Sequence, residues 1–124
     1  MRNDLSIIQK SLQNLFKKHV PPLQIRKDNT SVFEVAGTIE VMQGKQKVDG
    51  YYFGSVVPKP NDIRLYYFPI YTHPQAFNFI SADLRKCLKG KSCFHIKKLD
   101  GMLENEIDHM IAKGVELYLV DKLI

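Results

Sequence analysis

LRKCLKGKSCFHIKK, Leu84 to Lys98, carries six cations, two cysteines and one histidine, and no acidic residue. Its Gly90-Lys91-Ser92 looks like the end of a phosphate-binding loop. Such a loop needs a glycine five residues before the Gly-Lys pair, and position 85 is arginine. It also needs a strand before it and a helix after it, so that phosphate meets the helix N-terminus. Here Leu84 and Leu88 continue a helical spacing, whereas Ser92 to Lys98 alternates, with Phe94 and Ile96 on one face and Cys93, His95 and Lys97 on the other. The order is helix then strand, so Gly90 reads as a helix C-cap rather than a nucleotide loop.

Working outward, Leu103, Ile107, Met110, Ile111, Val115 and Tyr118 mark an amphipathic final helix. At the other end, Leu5, Ile8, Leu12, Leu15 and Phe16 mark a first helix, with Asn3 or Asp4 as N-cap and Pro21-Pro22 as its stop. Between them lie short β-type runs: Leu23 to Lys27, Val32 to Ala36, Ile39 to Met42, Val48 to Val57 and Ile63 to Ile70. Asp28-Asn29, Gly44 and Pro58 to Asp62 supply the turns. After His73-Pro74, a short helix is expected through Phe77, Phe79, Ile80, Leu84 and Leu88. The pattern predicts an α+β fold, an antiparallel sheet with the N-terminal and C-terminal helices packed on one face.

The chain has 124 residues, enough for one core, so residues 1–124 read as a single domain. Its 44% apolar and 25% charged residues are those of an ordinary globular chain. No apolar run approaches the roughly 18 residues needed to span a bilayer, and MRND leads into an amphipathic pattern rather than a signal peptide. A cytoplasmic location is expected, with no membrane partner. Two cysteines are too few for a disulfide framework and are expected as thiols. A net charge of +5 favours an anionic partner without identifying it.

Three candidate sites follow. Arg85, Lys86, Lys89 and Lys91, with Lys97 and Lys98, form a cationic patch that can hold an anion or serve only as a solvated rim. Tyr52, Tyr66 and Phe68 belong to runs of adjacent aromatics, Tyr51 to Phe53 and Tyr66 to Phe68, which cannot all face the helices. Some of them are therefore expected on the opposite face, as a ligand or dimer surface or as cross-strand pairs. Cys93 and His95 share a strand face and can reach one iron or zinc ion, with Cys87 and His73 as candidates to complete the set. The C-x₅-C-x-H spacing matches no closed zinc site, and a packed thiol is the alternative. Glu104, Asp108 and His109 read as a solvated helix face. RNA-recognition modules want a cation before a Gly-aromatic core, and Asp49 precedes Gly50-Tyr51-Tyr52-Phe53, so nucleic acid is not favoured.

The run IRLYYFPIY, Ile63 to Tyr71, followed by Leu84 and LKGKSCFHIKKL, Leu88 to Leu99, resembles the YdhG-like family of proteins of unknown function. The final helix is similar in place, and the N-terminal third only loosely so. The resemblance implies a curved antiparallel sheet between helices, similar to frataxin, and one branch of the family is connected with iron delivery. Frataxin-like iron handling uses an acidic ridge along the first helix. This first helix carries Lys10, Lys17 and Lys18 against Asp4, so the fold carries over and no iron ligands do. The expected function is a non-enzymatic binding or adaptor domain, without a required cofactor, holding an anionic small molecule or a protein partner. The alternative is a frataxin-like iron chaperone or metal carrier. A monomer and a homodimer are equally compatible with the sequence.

Overall fold

The computed structural model describes residues 4–124, so Asn3 lies outside the described residues. Asp4 caps α1 (Leu5–Lys17), its side chain accepting the N–H groups of Ser6 and Ile7 at 2.9 and 3.4 Å. The hydroxyl of Ser6 and these two N–H groups hold the Asp4 carboxyl below its ordinary range. The helix buries Ile8, Leu12, Leu15 and Phe16.

Next come β1 (Gln24–Asp28), β2 (Phe33–Ala36), β3 (Val41–Gln43), β4 (Gln46–Val48), β5 (Tyr52–Pro58) and β6 (Ile63–Tyr67). The connection to β7 (Cys93–Ile96) runs through α2 (Pro69–Thr72), a 3-10 turn (Pro74–Phe77) and α3 (Ala82–Cys87), and α4 (Gly101–Val120) closes the fold. The main sheet has five antiparallel strands in the order β1-β2-β5-β6-β7, and β3 and β4 form a separate hairpin. The expected meander is therefore interrupted: the run from Val48 to Val57 breaks at Asp49-Gly50 into β4 and β5. Gly50 lies against the carbonyl of Gly37, where a Cβ would collide. Gly44, with φ +62, occupies the first position of the two-residue hairpin turn, a conformation glycine adopts without steric cost.

Register shows which face the helices cover. Phe33, Val56, Leu65 and Phe94 lie opposite one another across four strands, and Val35, Gly54 and Tyr67 form the next row. All but Gly54 belong to the buried apolar core. The Phe16 ring of α1 reaches this face at Gly54, where a Cβ would stand 2.7 Å from its Cζ. The Tyr67 hydroxyl donates to the Met110 carbonyl of α4. Both terminal helices thus lie on one side of the sheet, as expected.

The adjacent aromatics of β5 are accommodated by a bulge. Ala36 pairs with Tyr52 and Val35 with Gly54, leaving Phe53 as the extra residue. The alternation slips there, so Phe53 packs its ring 6.0 Å from Phe16 while Tyr52 and Ser55 both turn outward and hydrogen-bond at 2.7 Å.

The chain between β6 and β7 differs from the single helix expected. Pro69 ends the strand at Tyr67 by opening α2, and Pro74 opens the 3-10 turn. Ser81 then caps α3 by accepting the Leu84 N–H at 3.1 Å. Leu88 is already extended and bridges to Phe94. Gly90, with φ +103, is therefore not the helix cap but part of the tight turn into β7, closed by the Lys89 N–H donating to the Cys93 carbonyl at 2.8 Å. α4 is capped by Asp100, which accepts the Leu103 N–H at 2.8 Å. Among the described residues, no helix is long and apolar enough to cross a membrane.

Candidate functional site

A cleft of about 720 Å³ opens at the β7 side of the sheet. One wall is α3, with Lys86 and Cys87, and Lys89 just beyond it. A second is β7 and its continuation, with His95, Lys97 and Lys98, and a third is the first turns of α4, with Met102, Leu103 and Glu106. Asp62, from the turn before β6, completes the lining beside His95. Met102 is 84% exposed and gives the cleft an apolar rim.

Four lysines and four acids line this cleft, but they are differently employed. Glu106 accepts both the N–H and the hydroxyl of Ser81 at 2.7 Å, tying α4 to the start of α3. Asp100 is the helix cap. Asp62 is buried, accepts from Arg64 Nε at 2.7 Å, and holds its second oxygen 3.6 Å from His95 Nδ1. Asp83 lies in the first turn of α3, where a carboxylate complements the helix N-terminus. Lys86, Lys89, Lys97 and Lys98 are exposed, and none forms an ion pair among the described residues. With three of the four acids committed and the four ammonium groups uncommitted, this cleft is able to receive an anion.

The remaining cations of the opening stretch point elsewhere. Arg85 donates to the Phe77 carbonyl at 3.0 Å, bracing the 3-10 turn. Lys91 sits 5.6 Å from the centroid of the Tyr71 ring. The cationic patch read from sequence is thus divided, with Lys86 and Lys89 in the cleft and Arg85 and Lys91 outside its lining.

The aromatic residues form a second region. Tyr52 and Tyr66 lie on the sheet face away from the helices, whereas Phe68 has left the sheet and precedes α2. The Phe68 ring touches those of Tyr51, Tyr52 and Tyr71 at centroid distances of 5.9, 5.6 and 5.5 Å. Tyr66 lies opposite Cys93 on the neighbouring strand. Burial pushes the Tyr52 phenol up to about 12. Tyr52 also lines a separate open cleft of about 600 Å³ beside the β3–β4 hairpin, and none of Tyr52, Tyr66 and Phe68 lines the lysine cleft.

Cys93 and His95 share the outer sheet face as the strand period requires, but only His95 lines the cleft. Burial pushes the Cys93 thiol up, partly offset by Tyr66 and Arg64, and burial raises Cys87 likewise, partly offset by Lys89. Both are poor thiolates at neutral pH, and thiolate is the form that binds metal or attacks a substrate. His73 is elsewhere, bonded to Thr72 at 2.8 Å and to Asp121 at 2.6 Å. Asp108 of the final helix is paired with Lys18 at 2.9 Å. Among the described residues, no three His, Cys, Asp or Glu side chains come together as a metal site.

Asp62, Ser81 and Glu106 were not distinguished as site residues by sequence. For Asp62 a signal existed: Asp62 and Arg64 are two apart on a strand flank and so share a face. Ser81 and Glu106 meet only through the packing of α3 against α4. The chain matches no family model, no curated protein and no solved structure.

Proposed function

We propose that the protein is a non-enzymatic binding domain that holds a small anionic molecule in the cleft between α3, β7 and α4. The observation that carries this reading is the unequal state of the charges: the carboxylates of Asp62, Asp100 and Glu106 are held by protein donors, and the four lysines form no ion pair among the described residues. An anion entering here meets donors without displacing existing ion pairs. Met102 and Leu103 beside the lysines offer apolar surface for the carbon body of an organic anion. The raised thiols of Cys87 and Cys93 favour binding over nucleophilic chemistry.

On this reading the domain works in the cytoplasm, and its helix-sheet-helix form is the YdhG-like, frataxin-like arrangement that Ile63 to Lys98 resembles. A thermal-shift titration with a panel of phosphate and carboxylate compounds tests the binding, since a ligand that prefers the folded state raises the midpoint. The expected result is a saturable rise that is weakened in the Lys86→Ala, Lys89→Ala double variant. No rise with any anion, or a rise unaffected by the double substitution, would remove the reading.

A further inference from the structure

We propose that the anion this cleft selects is hydroxylated, a small phosphorylated or carboxylated polyol, and that His95 determines this choice by accepting a hydrogen bond from a ligand hydroxyl. This rests on the reading of the cleft as an anion site and adds the ligand's class to it.

The starting point is Asp62. It is only 5% exposed, one of its oxygens is taken by Arg64, and the other faces His95 Nδ1 at 3.6 Å. That distance is too long for a hydrogen bond but short enough for the carboxylate charge to orient the ring tautomer. A lone pair on Nδ1 would face a negative oxygen, whereas an N–H there is attracted to it. The proton of the neutral imidazole therefore belongs on Nδ1, and Nε2 carries the lone pair.

Nε2 makes no hydrogen bond among the described residues. It is not sealed in the core either, because the one buried side-chain nitrogen or oxygen without a partner among them is His19 Nε2. The ring lines the cleft with its side chain 25% exposed, so Nε2 is an acceptor available to a ligand.

Its neighbours make this acceptor selective. Lysine ammonium groups can only donate, and so they take phosphate or carboxylate oxygens without discrimination. An anion with acceptor oxygens alone leaves Nε2 without a ligand donor, and an alkyl chain placed against it removes its water without replacing the hydrogen bond. A hydroxyl on a carbon next to the anionic group meets both demands at once: the lysines take the charge, and Nε2 takes the O–H.

The test is a calorimetric titration of matched pairs at pH 7.5: glycerol 3-phosphate against propyl phosphate, and glycerate against propionate. Each pair keeps the anionic group and the carbon count and removes the hydroxyls. The expected result is about tenfold tighter binding of the hydroxylated member, the scale of one hydrogen bond gained. In His95→Leu that preference should disappear. A preference in only the phosphate pair or only the carboxylate pair supports the inference and identifies the head group.

Equal affinities within each pair would overturn the inference and leave the anion site standing, whereas no binding by any of the four compounds would overturn both. A hydroxyl preference that survives intact in a folded His95→Leu would also overturn the role given to His95. Should that variant fail to fold, the wild-type comparison still decides on the ligand class, and His95→Phe, which also lacks an acceptor, tests the residue by the same loss of preference.

Discussion

Two regions of this molecule carry most of its conspicuous side chains, and they differ in what those side chains leave open. Around Phe68, the rings of Tyr51, Tyr52 and Tyr71 each touch the Phe68 ring, Tyr52 is bonded to Ser55, and Lys91 lies over Tyr71. These groups satisfy each other. In the cleft between α3, β7 and α4, Glu106, Asp62 and Asp100 are held by Ser81, Arg64 and a helix end, and Lys86, Lys89, Lys97 and Lys98 form no ion pair among the described residues. Aromatic density therefore marks self-contained packing here, and the place with unused bonding capacity is a less aromatic, more charged one.

The sharpest way to break both regions together is Phe94→Ala. Phe94 is fully buried behind β7, and its truncation should cost about 3 to 5 kcal/mol in urea denaturation. A midpoint close to wild type would mean that the inward face of β7 had been misassigned. Phe68→Ala tests the aromatic region alone. It removes three ring contacts from a half-buried site and should cost about 2 kcal/mol, with anion affinity unchanged. A loss of anion affinity in a folded Phe68→Ala would join the two regions that are separated here.

Tyr52 gives the aromatic region a pH signature. Burial raises its phenol from 10.0 to about 12, so the folded state holds this proton more tightly than the unfolded chain. The resulting stability is fully present below pH 10 and is lost as the pH rises toward 12. Tyr52→Phe should lower stability at pH 8 by about 1 kcal/mol, through the lost Ser55 hydrogen bond, and should flatten the alkaline loss. Denaturation curves at pH 8 and pH 11 compare the two proteins directly; an unchanged alkaline slope would remove Tyr52 from this role.

The smallest stability effects are expected from lysines. Lys91→Ala should cost about 0.5 kcal/mol through its contact with Tyr71 and leave anion affinity alone. The Lys86→Ala, Lys89→Ala pair should also change stability by less than about 0.5 kcal/mol, yet weaken anion binding about tenfold. If Lys91 proved the stronger determinant of anion binding, the cleft would be the wrong site.

Much of the fold was legible because its periods are simple. Ile8, Leu12, Leu15 and Phe16 lie on one stripe of α1, and Ile107, Met110, Ile111 and Tyr118 on one of α4, as their spacing predicts. Phe94 and Ile96 are buried on β7 as alternation requires. The bulge at Phe53 was not legible, because a one-residue slip leaves no trace where both faces carry aromatics. The role of Gly90 was misread because positive φ serves a helix cap and a tight turn equally well. The cleft was half legible: Lys86, Lys89 and His95 stood out by residue type. Asp62 and Glu106 became part of it only through contacts with Arg64, His95 and Ser81 that the fold creates.

The most direct test of the anion site is a heteronuclear NMR titration of the labelled protein with glycerol 3-phosphate. Saturable shifts are predicted at Lys86 to Lys89, His95 and Lys97 to Leu103, with Tyr51, Tyr52, Phe68 and Tyr71 unmoved. Shifts centred on those aromatic residues and Lys91, or no shifts at all, would contradict it.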